Sequence, residues 1–301
     1  MGTGGEPVVV GHTGGMCGRY VMARAAGDLV RLGGGMLPDE TLELRPNWNV
    51  APTADVPILL ERAVDGDGAG ASGGGEAPDG EVRRELHVAR WGLVPPWAKE
   101  LSVGSRAFNA RSETVAQKPT FRAAVRSRRC AVPVEGYYEW KKPEPGAKGA
   151  DGKAAEKQPF YVHPAGAGDG EGPVIWFAGL YEWWQDPEAK AAGEDAWVLS
   201  TSILTMAAPN MEAEDPLLAE LGELHDRLPV PLGAEAMARW LEPGKLGSAE
   251  EAELLVDEVC AQAYGVASGW RLRPVGSAVG NVRNNGPELI EEPGEVQERL
   301  L

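Results

Sequence analysis

Cysteine, histidine, long apolar runs and positive charge are all scarce in this chain, and each shortage removes a class of function. Only three cysteines occur in 301 residues, Cys17, Cys130 and Cys260. An odd number with no metal-like spacing supports neither a disulfide framework nor a zinc site, so reduced thiols are expected. No stretch approaches the roughly 18 consecutive apolar residues of a membrane span, and the N-terminus lacks the basic and apolar regions of a signal peptide. A cytoplasmic location with no membrane partner is the expectation, and nothing in the chain calls for a cofactor or a metal. The formal charge of -16 at pH 7 argues against nucleic acid as a partner, because phosphate binding needs a basic surface. The distribution of charge modifies that conclusion. Residues 84–142 carry twelve Lys plus Arg against five Asp plus Glu, a local net of +7. A basic face on an acidic protein and a scatter of solvated charges both satisfy that count.

What is present is an ordinary globular composition, 43% hydrophobic and 25% charged, in a chain long enough to bury a core without cross-links. Residues 1–15 are Gly-rich and aperiodic and read as a disordered leader. Segments 65–80, 143–157 and 164–172 read as flexible insertions. They are loops and not domain linkers, because strand-like runs resume on both sides. Short β-branched or aromatic runs at 56–60, 85–91, 130–134, 159–162, 174–180 and 197–205 predict strands. Helical spacing of Ala, Leu, Glu and Arg predicts helices at 23–32, 118–127, 234–241 and 249–260. Strands and helices mix without a regular βαβ alternation and without an internal repeat, so the expected fold class is α+β: one β-rich domain over residues 16–292 with peripheral helices, then a tail at 293–301.

The first candidate for chemistry is Cys17, in Met16-Cys17-Gly18-Arg19-Tyr20. Met16 offers an alternative start of translation, and an initiator Met is usually removed before a small residue. Cys17 would then present an α-amine and a thiol on one carbon unit, with reference pKa values of about 8 and about 8.5. Such a pair condenses with an aldehyde, the amine forming a Schiff base and the thiol closing a five-membered thiazolidine. A buried structural thiol is the competing reading. Cys130 on a strand-like run and Cys260 on a helical one are expected to be buried.

Four further segments accompany that Cys: Trp48-Asn49-Val50-Ala51-Pro52-Thr53, Phe108-Asn109-Ala110-Arg111-Ser112-Glu113-Thr114, Val134-Glu135-Gly136-Tyr137-Tyr138-Glu139-Trp140-Lys141 and His225-Asp226-Arg227-Leu228-Pro229. With Met16-Cys17-Gly18-Arg19-Tyr20 in front and Ala278-Val279-Gly280-Asn281-Val282-Arg283-Asn284-Asn285-Gly286-Pro287-Glu288-Leu289-Ile290 behind, they resemble, in order, the SRAP family of SOS-response-associated peptidases, also described as abasic-site processing proteins. The resemblance implies a β-rich α+β domain that binds single-stranded DNA and crosslinks to abasic sites. It places the nucleophile on Cys17 and further catalytic groups on Asn109, Glu139 and His225. The residue types suit those roles. His225, with an ordinary pKa near neutrality, can act as general acid on the closed sugar. Glu139 beside Tyr137, Tyr138 and Trp140 can carry a proton from the amine to the departing hydroxyl if burial raises its pKa, and Asn109 can hold the sugar by hydrogen bonds. The alternatives are a core or surface histidine for His225, an outward residue on an amphipathic strand for Glu139 and a turn residue for Asn109.

For DNA contact the resemblance points to Arg19, Arg111 and Arg227, and also to Asn49, Pro52 and Thr205. Arginine suits phosphate through its two parallel donors. Trp97 is expected to be exposed, as a stacking surface beside the lesion, and Trp91 to be buried. Three functions stay open at this level: covalent capture of abasic single-stranded DNA by a monomer, a cysteine peptidase pairing Cys17 with His225, and a non-catalytic single-strand-binding module. The first requires an active molecule that begins at Cys17, since an internal Cys has an amide where the chemistry needs an amine.

Overall fold

The computed structural model describes residues 18–64, 81–148, 152–166 and 172–294. Among them are the strands β1 (Tyr20–Met22), β2 (Asn47–Val50), β3 (Asp55–Val64), β4 (Glu81–Trp91), β5 (Asn109–Arg111), β6 (Arg129–Val134), β7 (Gly136–Lys141), β8 (Gln158–Pro164), β9 (Ile175–Gln185), β10 (Trp197–Ala207), β11 (Arg227–Pro229) and β12 (Trp270–Pro274). The helices are α1 (Ala26–Gly33), α2 (Arg122–Ser127), α3 (Pro187–Ala191), α4 (Pro216–Leu224), α5 (Ala234–Leu241) and α6 (Ala249–Ala267). This is the α+β, β-rich class expected from the sequence. The six predicted strands all form, several extended by cross-strand pairing. The helix predicted at 234–241 is α5 itself, and the one at 249–260 runs on to Ala267. The helix at 118–127 starts four residues late, at Arg122, because residues 118–121 form turns.

Two sheets make the body. In the first, β10, β4, β3, β6 and β9 pair in that order, and β9 pairs β10 in turn, so the five strands close into a barrel. Its longest ladder, β3 with β4, runs from Asp55 opposite Arg90 to Val64 opposite Glu81. The 65–80 insertion joins those two strands and lies outside the described residues, as does the 1–15 leader. Every residue of β6 is buried, as the continuous apolar run at 130–134 requires of a strand enclosed on both faces. The second sheet has the order β12-β8-β7-β1-β2 and is antiparallel throughout. Tyr137 of β7 meets Phe177 of the barrel edge to face at 5.8 Å, and Tyr20 of β1 meets Trp91 at 5.0 Å. Those aromatic contacts weld the sheets together, in geometries that aromatic pairs prefer.

The described part of 143–157 departs from the flexible loop expected there. Lys148 bridges Ala154, and the Ala155 N–H donates to the Ala147 carbonyl at 3.1 Å, which pinches the segment into a folded turn. Cys130 is fully buried as expected, and burial pushes its thiol up to about 12. Cys260 is a correction. It is only partly buried, on the flank of α6 that faces the Ser112–Thr114 turn, with its thiol pushed up to about 11 by desolvation.

Candidate functional site

The site is organised by the C-terminal half of β10. β4 flanks that strand at Ser200 and Thr201 and β9 from Trp197 to Ile203; β5 then pairs in parallel with Ile203 to Thr205, and β11 antiparallel with Thr205 to Ala207. Thr205 therefore lies opposite Arg111 on one side and Pro229 on the other. Its buried hydroxyl donates to the Ala110 carbonyl at 3.2 Å. This arrangement brings the Asn109 and Arg111 motif to within two strands of the His225 and Arg227 motif.

Asn109 is set by what precedes it. The Trp91 indole N–H donates to the Phe108 carbonyl at 2.9 Å, and the Phe108 ring stands edge-on to the Trp91 ring at 5.8 Å. Trp91 is wholly buried and Trp97 is 59% exposed, as the sequence predicts for each. The chain between them can turn because Gly92 has φ +133, a region closed to most side chains. A Cβ there would also meet the Gly104 carbonyl oxygen at 2.5 Å. No hydrogen bond or ring contact among the described residues joins Trp97 to the other candidates.

Cys17 lies outside the described residues, but Gly18, which follows it, is described. A Cβ on Gly18 would lie 3.9 Å from the Phe108 ring, and the neighbouring Arg19 carbonyl accepts the Tyr138 N–H at 2.9 Å. Residue 18 thus stands between the turn that carries Asn109 and the strand that carries Glu139. Glu139 is buried, on β7 between the fully buried Tyr138 and the half-buried Trp140, and opposite Phe160 of β8. It is no solvated strand residue. His225 caps α4 at its C-terminal end. The end of β7 is tied to the same helix by Lys141 and Glu223 at 3.0 Å.

The electrostatics of His225 follow from its surroundings. Burial holds its imidazole below the ordinary range; Asp226, 2.8 Å from Nδ1, pulls the other way, while Lys142, Lys157 and Arg227 reinforce the depression. The Arg227 backbone N–H donates to Nδ1 at 3.0 Å. Nδ1 thus stands between the Arg227 N–H, which needs it unprotonated, and the Asp226 carboxylate, which can only accept and so favours a proton on it.

The three arginines singled out from the sequence differ sharply. Arg19 is 6% exposed, and its guanidinium donates to Asn49 Oδ1 at 3.0 Å and to the Val279 carbonyl at 2.9 Å. Asn49, also buried, donates to the carbonyls of Val279, Asn281 and Asn284. This pair fastens the 277–285 segment onto β1 and β2. Arg227 donates from both Nη atoms to the Glu113 carboxylate and from Nη2 to the Thr205 carbonyl at 2.8 Å. Arg111 is exposed, and no described residue bonds its guanidinium. Pro52 is half-exposed in the turn before β3, next to Thr53, whose φ of +78 is unusual for a β-branched residue. Glu113, the partner of Arg227, was not singled out from the sequence. The signal was available, since it is one of only five acids in the net-basic 84–142 run and lies two residues after Arg111.

Among the described residues no group of three or more His, Cys, Asp or Glu could hold a metal ion, and no helix is long and apolar enough to cross a membrane.

Comparison with known proteins places the chain in a family. A family model described as SOS response associated peptidase (SRAP) matches residues 16–282. The abasic site processing protein YoqW of Bacillus subtilis is 31% identical over 278 residues, covering 92% of this chain and 99% of that protein. The abasic site processing protein HMCES of Rattus norvegicus is 27% identical over 310 residues, covering 91% and 75%. A crystal structure of a protein from Bacteroides thetaiotaomicron superposes with a TM-score of 0.63 at 22% identity, covering 92% of this chain and 99% of that one. At that identity the likeness is one of fold.

Proposed function

The chain belongs to the SOS response associated peptidase (SRAP) family, and from that premise we propose that it processes abasic sites in single-stranded DNA by covalent capture through an N-terminal Cys17. The observation that carries this reading is the position of Gly18, between the Phe108–Asn109 turn and the strand of the buried Glu139. The residue bonded to its nitrogen is the one that would need both groups. Relatives named abasic site processing proteins, matched over nearly the whole chain, support the substrate.

The chemistry closes with these residues. An abasic deoxyribose is mostly a ring hemiacetal, so the aldehyde must first be released. His225 acts as the general acid on the ring oxygen as it opens. The Cys17 amine adds to the aldehyde carbon, water leaves, and the resulting imine is closed by the thiol. The sum is aldehyde plus aminothiol giving thiazolidine plus water. Glu139 takes the proton from the attacking amine and returns it to the departing hydroxyl. Asn109 holds the sugar, and Arg111 binds the adjacent phosphate. The mechanism requires a molecule whose first residue is Cys17. The pKa of His225 lies below the ordinary near-neutral value, chiefly through burial, so less imidazolium is present at neutral pH than in a free histidine.

The test is direct. Protein beginning at Cys17, mixed with an oligonucleotide holding one abasic site, yields a product that survives denaturing electrophoresis, and an intact oligonucleotide yields none. Cys17→Ser with a free amine yields product only when borohydride reduces the imine. The family's description as a peptidase makes thiol-dependent peptide hydrolysis the second reading. It predicts activity without a free amine, whereas a plain binding module retains the strand and forms no covalent product.

A further inference from the structure

We propose that Glu113 is a positioning residue for the site: through Arg227 it fixes the gap between the Asn109 strand and the His225 turn and balances the cation that faces His225. The proposal rests on the reading of His225 as the acid–base group. Its geometric basis is a side-chain strut across a strand. Glu113 sits on the 3-10 turn Ser112–Thr114 that directly follows β5, while Arg227 opens β11, and β10 runs between the two. Strands two places apart in a sheet are about 10 Å from each other, a distance that an Arg and a Glu together can span. The contact is bidentate, and the same guanidinium donates to the Thr205 carbonyl of the intervening strand. All three strands are thereby tied at one level.

The strut reaches His225 in two ways. The Arg227 backbone N–H lies 3.0 Å from Nδ1, so fixing Arg227 fixes the place of the imidazole. Its cation also faces the imidazole together with Lys142 and Lys157, against Asp226. Glu113 lies at the far side of that cation and partly compensates it. Arg227 in turn holds the Glu113 carboxyl below the usual range by hydrogen bonding. The Glu113 end of the bridge is 50% exposed, so solvent screens it and weakens its contribution to stability. Positioning is the better account, because small displacements of groups that act together cost rate far more than they cost stability.

The experiment uses the whole protein labelled with 15N at histidine, with His225→Gln to assign its signal. Glu113→Gln keeps the shape and removes the charge, leaving Arg227 uncompensated, so the His225 titration moves to lower pH. Arg227→Met removes the cation and moves it to higher pH. The acid limb of the pH profile for adduct formation on abasic oligonucleotide follows each shift, and Glu113→Ala slows adduct formation roughly 10- to 100-fold. His225 signals and pH profiles that match the parent in both Glu113→Gln and Arg227→Met, with only thermal stability altered, would overturn the proposal. The imidazole signals need no DNA, so they decide it even if the parent forms no adduct, an outcome that would sink the functional reading instead.

Discussion

His163 and His225 are both held below the ordinary imidazole range, chiefly by burial. His163 is stacked on Tyr161 with ring centroids 5.0 Å apart, and its Nδ1 lies 2.9 Å from the Pro164 carbonyl. Each binds a proton less readily in the folded chain than in the unfolded one. Their contribution to stability is therefore complete above pH 6.5, the unfolded value, and is lost as the pH falls through the lower folded values. Denaturant midpoints measured from pH ~7.5 to ~5.5 should decline, and His163→Phe should flatten part of that decline. Equal slopes in parent and variant would contradict this assignment. At the same scale, residues singled out for DNA contact also hold the fold together. Arg19 and Asn49 have their polar groups occupied by each other and by the carbonyls of 279–284. A motif match gives the identity of a residue but not the direction its side chain takes.

Among the elements, α2 and α5 end on a single side chain. Arg129, 6% exposed, donates to the carbonyls of Val125 and Arg126 in the last turn of α2 and to those of Trp240 and Glu242 at the end of α5. Helix C-termini leave carbonyls without partners, and a cation there also opposes the helix dipole. Desolvation lowers its pKa to about 10, so it stays charged. Arg129→Met should cost roughly 3–5 kcal/mol, read as a lower denaturant midpoint with the slope unchanged; a loss under about 1 kcal/mol would mean that water replaces the guanidinium. The elements legible in the sequence were those whose own pattern decides them, such as β6 with its unbroken apolar run and α5 with its helical spacing. Strands β1, β2, β5 and β11, of three or four residues, were not. Too short to show alternation, they exist because β7, β1 and β10 offer them partners, and they carry or adjoin most of the site. The site residues were visible through the motifs, whereas the Glu113 to Arg227 strut was not, since it joins residues 114 positions apart.

For the molecule as a whole, the net-basic run at 84–142 is less basic than its count. Arg84 pairs with Glu61, Arg128 with Glu182 and Lys141 with Glu223; Arg90, Arg126 and Arg129 are bound to carbonyls. Lys99, Arg106, Arg111, Lys118, Arg122 and Lys142 are exposed with no partner among the described residues. Five of those six fall within 99–122, the segment that also holds Asn109. Unpaired positive charge is thus concentrated along one segment of a chain whose net charge is -16. Binding to single-stranded DNA should weaken with salt, and Arg111→Ala should reduce the log–log salt slope by about 0.7, the value for one phosphate on a single strand. An unchanged slope would remove Arg111 from the interface. The central claim rests on one amine. Intact-mass measurement of the protein beginning at Cys17, after mixing with abasic single-stranded DNA, should give one species heavier by the mass of the oligonucleotide less one water, while protein retaining residues 1–16 gives none. No adduct with a free Cys17 amine, or equal adduct when residues 1–16 are retained, would contradict the account.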